Sequence, residues 1–173
     1  MSDQPVNVTL LPGNSCFGCG HENPTGLKIE IFREPVNRGR LRGRFTPTEK
    51  TAGFPNIAHG GSVYTALDCL STWTATLLRK ERGAVWILRS ASVTYHRPVP
   101  IGQPVNLNGR IVSQRGAWQP VEVRAEARDA DGEMLVDGTF KVVPLNVERF
   151  KKLAQIDEMP KGWQDLLRAG AAD

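Results

Sequence analysis

Alternation of apolar and polar residues predicts two β-strands in the first third of the chain. In LKIEIF, the apolar residues Leu27, Ile29 and Ile31 fall on one face of an extended segment. Between Arg40 and Phe45 every second residue again suits a buried face, and arginines alternate with them. Both segments therefore predict strands with one buried and one solvent-exposed face.

The segment 62–80 has a different period and predicts the one long helix of the central region. It contains neither proline nor glycine, and its apolar residues recur every three to four positions. Because they cover much of the helix surface, we expect this helix to be buried on more than one side. Turn signals after it separate four further predicted strands, at 85–96, 105–113, 121–128 and 134–143.

This order of elements predicts an α+β fold, in which a curled antiparallel six-stranded sheet wraps around one long central helix. Three short connections predict that the last four strands form an antiparallel meander. The end of the chain indicates a short helical tail that breaks at Pro160 and resumes around Trp163. We expect one domain at 27–145, preceded by a turn-rich extension at 1–26 and followed by the tail at 146–173.

Composition and charge narrow the class of protein. Of the 173 residues 40% are hydrophobic and 23% charged, which is typical of globular domains, and the net charge of +4 favours anionic partners only mildly. There is neither a run of five like charges nor an apolar stretch of membrane-spanning length, so we expect no nucleic-acid and no membrane partner. The absence of a signal-peptide pattern and the odd count of three cysteines predict a cytoplasmic protein.

The strongest indication of chemistry is His59-Gly60-Gly61, directly before the long helix. Glycines allow a ligand close to the backbone, and the first amides of a helix are unpaired and lie at its positive end. Such amides can stabilise the oxyanion of acyl transfer. His59 is placed either to orient a carbonyl group or to cap the helix, and a Gly-Gly pair is also common in simple turns.

Asp68 follows Gly61 by seven residues and therefore faces a similar side of the helix. A rise of ~1.5 Å per residue separates the two by about 10 Å, which is too far for both to serve one carbonyl carbon. Two antiparallel copies of the helix would place Gly61 of one chain opposite Asp68 of the other. We therefore expect a homodimer or a dimer of dimers, with two sites in each dimer.

Three segments carry a resemblance to a known family. FPNIAHGGSVYTALD (54–68) resembles the signature of the hotdog-fold thioesterases related to phenylacetyl-CoA and 4-hydroxybenzoyl-CoA thioesterases. In that family an acid follows the histidine of HGG by nine residues, as Asp68 follows His59. CFGCGHENPTGLKI (16–29) and YHRPVPIGQPV (95–105) are similar to further segments of these proteins, so the resemblance extends over most of the chain.

The resemblance implies hydrolysis of an acyl-CoA thioester without a metal or a redox cofactor. The Gly61 amide would hold the carbonyl oxygen. Asp68 of the partner subunit would activate water, or attack to form an anhydride that water then opens. Basic residues near the end of the helix and near turns would face the CoA phosphates, namely Arg79, Lys80, Arg82, Arg97 and Arg115.

Two positions depart from the family pattern and affect the prediction of the substrate site. Gly53 stands where many relatives have an asparagine or glutamine, which leaves Asn56 as the nearby amide. Leu88 stands where many have a threonine or serine, and we expect Ser90 to lie on the same face of that strand. The predicted substrate-binding residues are Asn56, Gly60, Ser90 and Arg97.

Three other interpretations of the sequence compete with the hydrolase. Cys16 and Cys19 with His21 suggest zinc, but a tetrahedral site needs four ligands and Cys69 is predicted in mid-helix, so we predict a turn and no metal. The departures at Gly53 and Leu88 leave open a non-catalytic acyl-CoA or small-ligand-binding hotdog protein. A hotdog dehydratase is less favoured. Its chemistry needs an Asp/His pair that acts on the carbons α and β to the carbonyl, and the only motif histidine here, His59, precedes the helix.

Overall fold

The computed structural model describes residues 4–79 and 81–169, so Lys80 lies outside the described residues. Their helices are α1 (Val6–Thr9), α2 (Gly60–Leu78), α3 (Val147–Ala154) and α4 (Lys161–Ala169). Their strands are β1 (Glu30–Arg33), β2 (Arg40–Phe45), β3 (Ala52–Phe54), β4 (Ile57–Ala58), β5 (Ala84–Tyr95), β6 (Val105–Gln114), β7 (Val121–Arg128) and β8 (Met134–Asn146).

Six of these strands form one antiparallel sheet in the order β1-β2-β6-β7-β8-β5, and it packs around α2. The prediction of an α+β fold with a six-stranded sheet around one long helix is therefore confirmed. The segment before α2 is more regular than predicted, because it holds a 3-10 helix at Glu49–Thr51 and the small β3–β4 hairpin.

The predicted meander was wrong at its first connection, because β5 pairs with β8 and not with β6. The link between β5 and β6 carries Pro98, Pro100 and Pro104, and a proline cannot donate to a strand ladder. This link instead lies against the β3–β4 hairpin. There the Ala58 N–H donates to the Val99 carbonyl at 2.9 Å. As a result β6 pairs with β2, and β5 forms one edge of the sheet.

The core lies between α2 and the inner face of the sheet. Leu67 and Leu70 of α2 are fully buried, as are Leu107 and Phe140 from the strands. Gly109 permits the close approach of β6, since a Cβ at that position would lie 3.0 Å from Leu70 Cγ. Burial of such side chains contributes on the order of 1.5–3 kcal/mol each relative to exposure.

The core leaves one stripe of α2 uncovered, and polar residues predominate in it. Ser71 and Ala75, which the periodicity places beside Asp68, are fully buried and belong to the core face instead. The Ser71 hydroxyl donates to the Leu67 carbonyl at 2.7 Å, which satisfies it inside the core. The half-buried or exposed residues of the helix are Gly60, Gly61, Tyr64, Thr65, Asp68, Thr72, Thr76 and Leu78.

The N-terminal segment is packed rather than loose. Asn7 is buried, and its side-chain amide donates to the carbonyls of Cys19 and Ile29 at 2.8 and 2.9 Å. The first strand is shorter than the alternation predicts, because Lys28 adopts a left-handed backbone with φ of 57° and β1 begins only at Glu30. The division at residues 26 and 27 stays a prediction.

The C-terminal segment forms the two predicted helices, with the break at Pro160 between them. Met159 and Leu167 pack with Val85 on the outer face of β5, so the tail covers one end of the sheet. None of the described helices is long and apolar enough to cross a membrane.

Candidate active site

His59 caps the N-terminus of α2. Its backbone is extended, and its Nδ1 accepts a hydrogen bond from the Gly61 N–H at 2.9 Å. The first amides of a helix lack partners within the helix, and a side-chain acceptor at this position satisfies one of them. The capping role considered for His59 is therefore seen directly. The amide predicted as an oxyanion donor, that of Gly61, is bound to its own cap in this chain.

The β3–β4 hairpin fixes the approach to this cap. A Cβ on Gly53 would lie 2.9 Å from His59 Cα, so the backbone here has no room for the amide side chain of many relatives. Asn56 lies exposed in the turn with a left-handed φ of 63°. Its carbonyl accepts from the Ile101 N–H at 3.1 Å, which joins the hairpin to the link before β6.

A cleft of ≈ 710 Å³ opens between the hairpin, the start of α2 and the end of β5. His59, Gly60 and Arg97 line it, so the structure brings three of the predicted site residues together. Tyr95 and Phe54 line it as well, and sequence reasoning did not single them out. Tyr95 lies within the segment that resembles the family, and this was the available signal for it.

Tyr95 fixes the first residue of α2. Its hydroxyl donates to the Gly60 carbonyl at 2.8 Å, and a Cβ on Gly60 would lie 3.3 Å from the tyrosine ring. Burial raises the pKa of Tyr95, so the phenol stays protonated and keeps donating at neutral pH. This hydrogen bond holds the first turn of α2 in place where it faces the cleft.

Arg97 offers a cation at the rim of the cleft. Its guanidinium lies 3.1 Å from the Glu133 carboxylate, and both side chains are more than half exposed. Surface ion pairs of this kind contribute little stability. Arg97 can therefore exchange this partner for an anionic ligand group at small cost.

Asp68 is half-buried on α2, and one of its carboxylate oxygens is unsatisfied. Its Oδ1 atom is buried and has no hydrogen-bond partner among the described residues. Burial, followed by the nearby charge of Cys16, raises the pKa of Asp68 from 3.8 to about 6. A carboxylate with a pKa close to neutrality and an unsatisfied oxygen suits a general base.

The cleft and Asp68 are separate within one chain. Asp68 does not line the cleft and lies about two helical turns beyond Gly61. Between them, Tyr64 packs on Phe140 with ring centroids 5.7 Å apart. This separation agrees with the distance expected from the sequence.

Ser90 lies on the opposite face of β5 from the one predicted. The register shifts between Leu88 and Ser90, so Leu88 pairs with Val142 whereas Ser90 pairs with Lys141. Successive residues of a strand point to opposite faces, so this bulge turns Ser90 away from the core side that Leu88 occupies. Alternation could not reveal this extra residue of β5.

The cations at the end of α2 differ in their environment. Arg79 is bound within the chain, because its guanidinium contacts Glu81 and donates to Gln114 Oε1 and the Gly116 carbonyl. Arg82 and Arg115 are exposed.

Cys69 lies in mid-helix, as predicted, and the N-terminal cysteines pack beside it. Its sulfur lies 3.9 Å from that of Cys16, and Cys19 completes a group whose sulfurs all lie within 4.8 Å of one another. The residue falls on the side of α2 against which the CFGCG turn packs. Sequence spacing could not show this contact, since Cys69 follows Cys16 by 53 positions.

Comparison with known proteins gives one family and several solved structures. Residues 55–134 match the model of the thioesterase superfamily. A thioesterase from Haemophilus influenzae is 16% identical, with a TM-score of 0.64 over 75% of this chain and 86% of its own. The PaaI protein of the E. coli phenylacetic acid degradation operon is 16% identical, with a TM-score of 0.60 over 69% and 81%.

A third similar structure is a hypothetical thioesterase from Streptococcus pneumoniae with coenzyme A. It is 18% identical, with a TM-score of 0.59 over 73% of this chain and 91% of its own. No curated protein sequence matches this chain significantly. The resemblance to hotdog thioesterases is thus confirmed, and identities this low show a common fold without fixing a substrate.

Proposed function

We propose that this chain, with the thioesterase superfamily signature at 55–134 and the hotdog fold, hydrolyses an acyl-CoA thioester to a free acid and CoA. The observation that carries the proposal is the Asp68 carboxylate. Its Oδ1 atom is buried without a hydrogen-bond partner among the described residues, and its pKa is raised to about 6. Hydrolysis by this group needs neither a metal nor a redox cofactor.

A homodimer would complete the site. Among the described residues β5 pairs only with β8, so its other edge is unpaired. Two copies joined antiparallel along this twelve-residue strand would form one continuous sheet. The uncovered stripes of the two α2 helices would then run side by side in opposite directions, with Asp68 of one chain near Gly61 of the other.

The proposed reaction begins with exchange of a hydrogen bond. The Gly61 N–H leaves His59 Nδ1 and donates to the thioester carbonyl oxygen at the helix N-terminus. Asp68 of the partner subunit takes a proton from water, and the water oxygen attacks the carbonyl carbon. The C–S bond then breaks, and the departing thiolate receives the proton from Asp68. Direct attack by Asp68, followed by hydrolysis of the anhydride, gives the same products.

The cleft beside His59 is the proposed entrance for the CoA part of the substrate. Arg97 at its rim supplies a cation for a phosphate, and exposed Phe54 supplies apolar surface. Asn56, in the turn between the lining residues Phe54 and Ile57, is the proposed further polar group at this rim. The coenzyme A in the S. pneumoniae structure supports this class of ligand.

A non-catalytic acyl-CoA or small-ligand-binding protein is the second candidate, and two observations favour it. The Gly61 amide is bound to His59, and Gly53 leaves no space for a side chain that would help to hold a carbonyl or water. Such a protein would bind acyl-CoA in the same cleft and release no thiol.

The decisive experiment is a thiol-release assay over short, medium, long and aromatic acyl-CoAs. The variant is Asp68→Asn, and the matched control is Asp165→Asn, which changes an exposed carboxylate on α4. We expect hydrolysis of at least one class, a loss of ~100-fold or more in Asp68→Asn and unchanged rates in the control. Tight binding of acyl-CoA without turnover by the wild type would instead select the binding protein.

A further inference from the structure

We infer that Cys16, Cys19 and Cys69 form a binding site for a thiophilic divalent cation such as Zn²⁺, which joins the N-terminal segment to α2. The three sulfurs lie within 4.8 Å of one another, and those of Cys16 and Cys69 are 3.9 Å apart. Two thiolates on one tetrahedral zinc lie about 3.8 Å apart, given Zn–S bonds of ~2.3 Å. The spacing therefore requires only small side-chain rotations.

The backbone around Cys16 forms a closed turn, because the Gly20 N–H donates to the Cys16 carbonyl at 3.0 Å. A Cβ on Gly18 would clash with the Cys69 sulfur, so the glycine allows the turn to approach the helix. Gly20 is equally confined, since a Cβ there would lie 2.5 Å from the Asn14 carbonyl oxygen. The sequence Cys-x-x-Cys-Gly thus forms a tight turn that holds its two sulfurs close to that of Cys69.

Cys19 is oriented by two side-chain donors from different parts of the chain. The Trp73 indole N–H donates to its sulfur at 3.3 Å, and the Asn14 amide does so at 3.6 Å. Sulfur accepts hydrogen bonds best as a thiolate, and groups that donate to a metal ligand fix its orientation and charge. Two donors around one buried sulfur are more than packing of a neutral thiol requires.

Accessibility allows an ion to enter from one side. Cys16 is exposed, whereas Cys19 and Cys69 are buried. No histidine or carboxylate of the described residues joins the group, so three protein ligands leave a fourth position for water or another small ligand. This position would lie beside Cys16, next to the helical turn that carries Asp68.

The test measures zinc binding to the reduced full-length chain after removal of metal with a chelator. We expect one Zn²⁺ per chain in native mass spectrometry. Cys69→Ser should lower the zinc affinity by more than ~100-fold, which exceeds the ~10–100-fold typical for loss of a group that hydrogen-bonds to a metal ligand. His21→Gln removes the imidazole nearest in sequence and should bind zinc as the wild type does. Trp73→Phe should keep the stoichiometry and weaken affinity by ~10-fold or more.

A second readout covers the case in which Cys69→Ser fails to fold. Zinc should protect all three wild-type thiols from alkylation by N-ethylmaleimide, counted by mass spectrometry. Co²⁺ in place of zinc should give the absorption of a tetrahedral thiolate complex. Unchanged alkylation in the presence of zinc, unchanged affinity in Cys69→Ser, loss of binding in His21→Gln, or a disulfide among the three in freshly purified protein would each overturn the site.

Discussion

The Gly61 amide donates to Nδ1 of His59 at 2.9 Å, so the group proposed to hold the oxyanion also forms the cap of the central helix. One hydrogen bond thereby links the stability of α2 to the proposed chemistry. Substrate would have to replace His59 as the acceptor, and the imidazole would then be free to contact the substrate. Because His59 caps the helix at rest and gives up the Gly61 amide when substrate binds, we expect substitutions of His59 to affect protein stability and turnover differently.

Removal of the His59 imidazole should therefore weaken α2. We expect His59→Ala to lower the free energy of unfolding by about 1 kcal/mol, as for loss of other helix caps. For a chain of this size that corresponds to roughly 2–4 °C in Tm, measured by calorimetry. His59→Asn is the matched control, because it keeps a side-chain acceptor and should retain most of the stability. Equal Tm values for the two variants would contradict the capping role.

Gly53 should not tolerate a side chain. A Cβ there would lie 2.9 Å from His59 Cα, and backbone cannot move aside as a flexible side chain can. We expect Gly53→Ala to cost about 1–3 kcal/mol in unfolding free energy and to reduce turnover through displacement of His59. Gly39→Ala is the control, since Gly39 is exposed and its nearest neighbour is a side-chain atom. If Gly53→Asn were as active as the wild type or more active, the hairpin would have to move to admit the side chain, and the prediction would be wrong.

Asp68→Asn should stabilise the protein at neutral pH. The folded state retains the Asp68 proton up to about pH 6, whereas an unfolded aspartate releases it near 3.8. Stability therefore falls as pH rises through this window, and the penalty is complete above it. We expect the variant to gain about 1–3 kcal/mol at pH 7.5 and nothing at pH 3.5, in urea titrations. A loss of stability at pH 7.5 would mean that the carboxylate is paired.

The rate should follow the ionisation of the same carboxyl group. As a base, Asp68 is active only after losing its proton, so kcat/KM should rise with pH and level off above about pH 6. The charged or titratable groups facing it are Cys16, from the N-terminal segment, and Tyr64 on its own helix. The measurement uses protein stripped of metal, so that the thiols alone set the charge near Asp68. A rate that does not change between pH 5 and 7 would exclude this base.

Much of the fold follows from the sequence, because β2, β7 and α2 have strong periodicity and clear ends. The pairing of β5 with β8 does not, since it depends on where the proline-rich link docks. Local pattern likewise placed Ser90 on the wrong face, because a single bulge residue changes the face of all later positions.

The candidate site likewise has one part that the sequence predicts and one part that depends on tertiary packing. His59, Gly60 and Arg97 meet around one cleft, as their motifs predict, whereas the contact of Cys69 with Cys16 depends on how the N-terminal segment packs. A motif predicts which residues lie at the start of a helix. It does not predict which distant segment packs against the following turns of that helix.

The most direct test of the shared site uses dimers in which the two chains differ. One chain carries Asp68→Asn and the other Gly61→Pro, which removes the amide donor within the first turn of α2, where proline is tolerated because the N–H has no partner inside the helix. The two chains are coexpressed with different tags and copurified. Each parent dimer should be inactive, and the mixed dimer should recover about half of the wild-type rate, because one of its two sites is intact. A mixed dimer as inactive as its parents would contradict a site shared by Asp68 and Gly61 of different subunits.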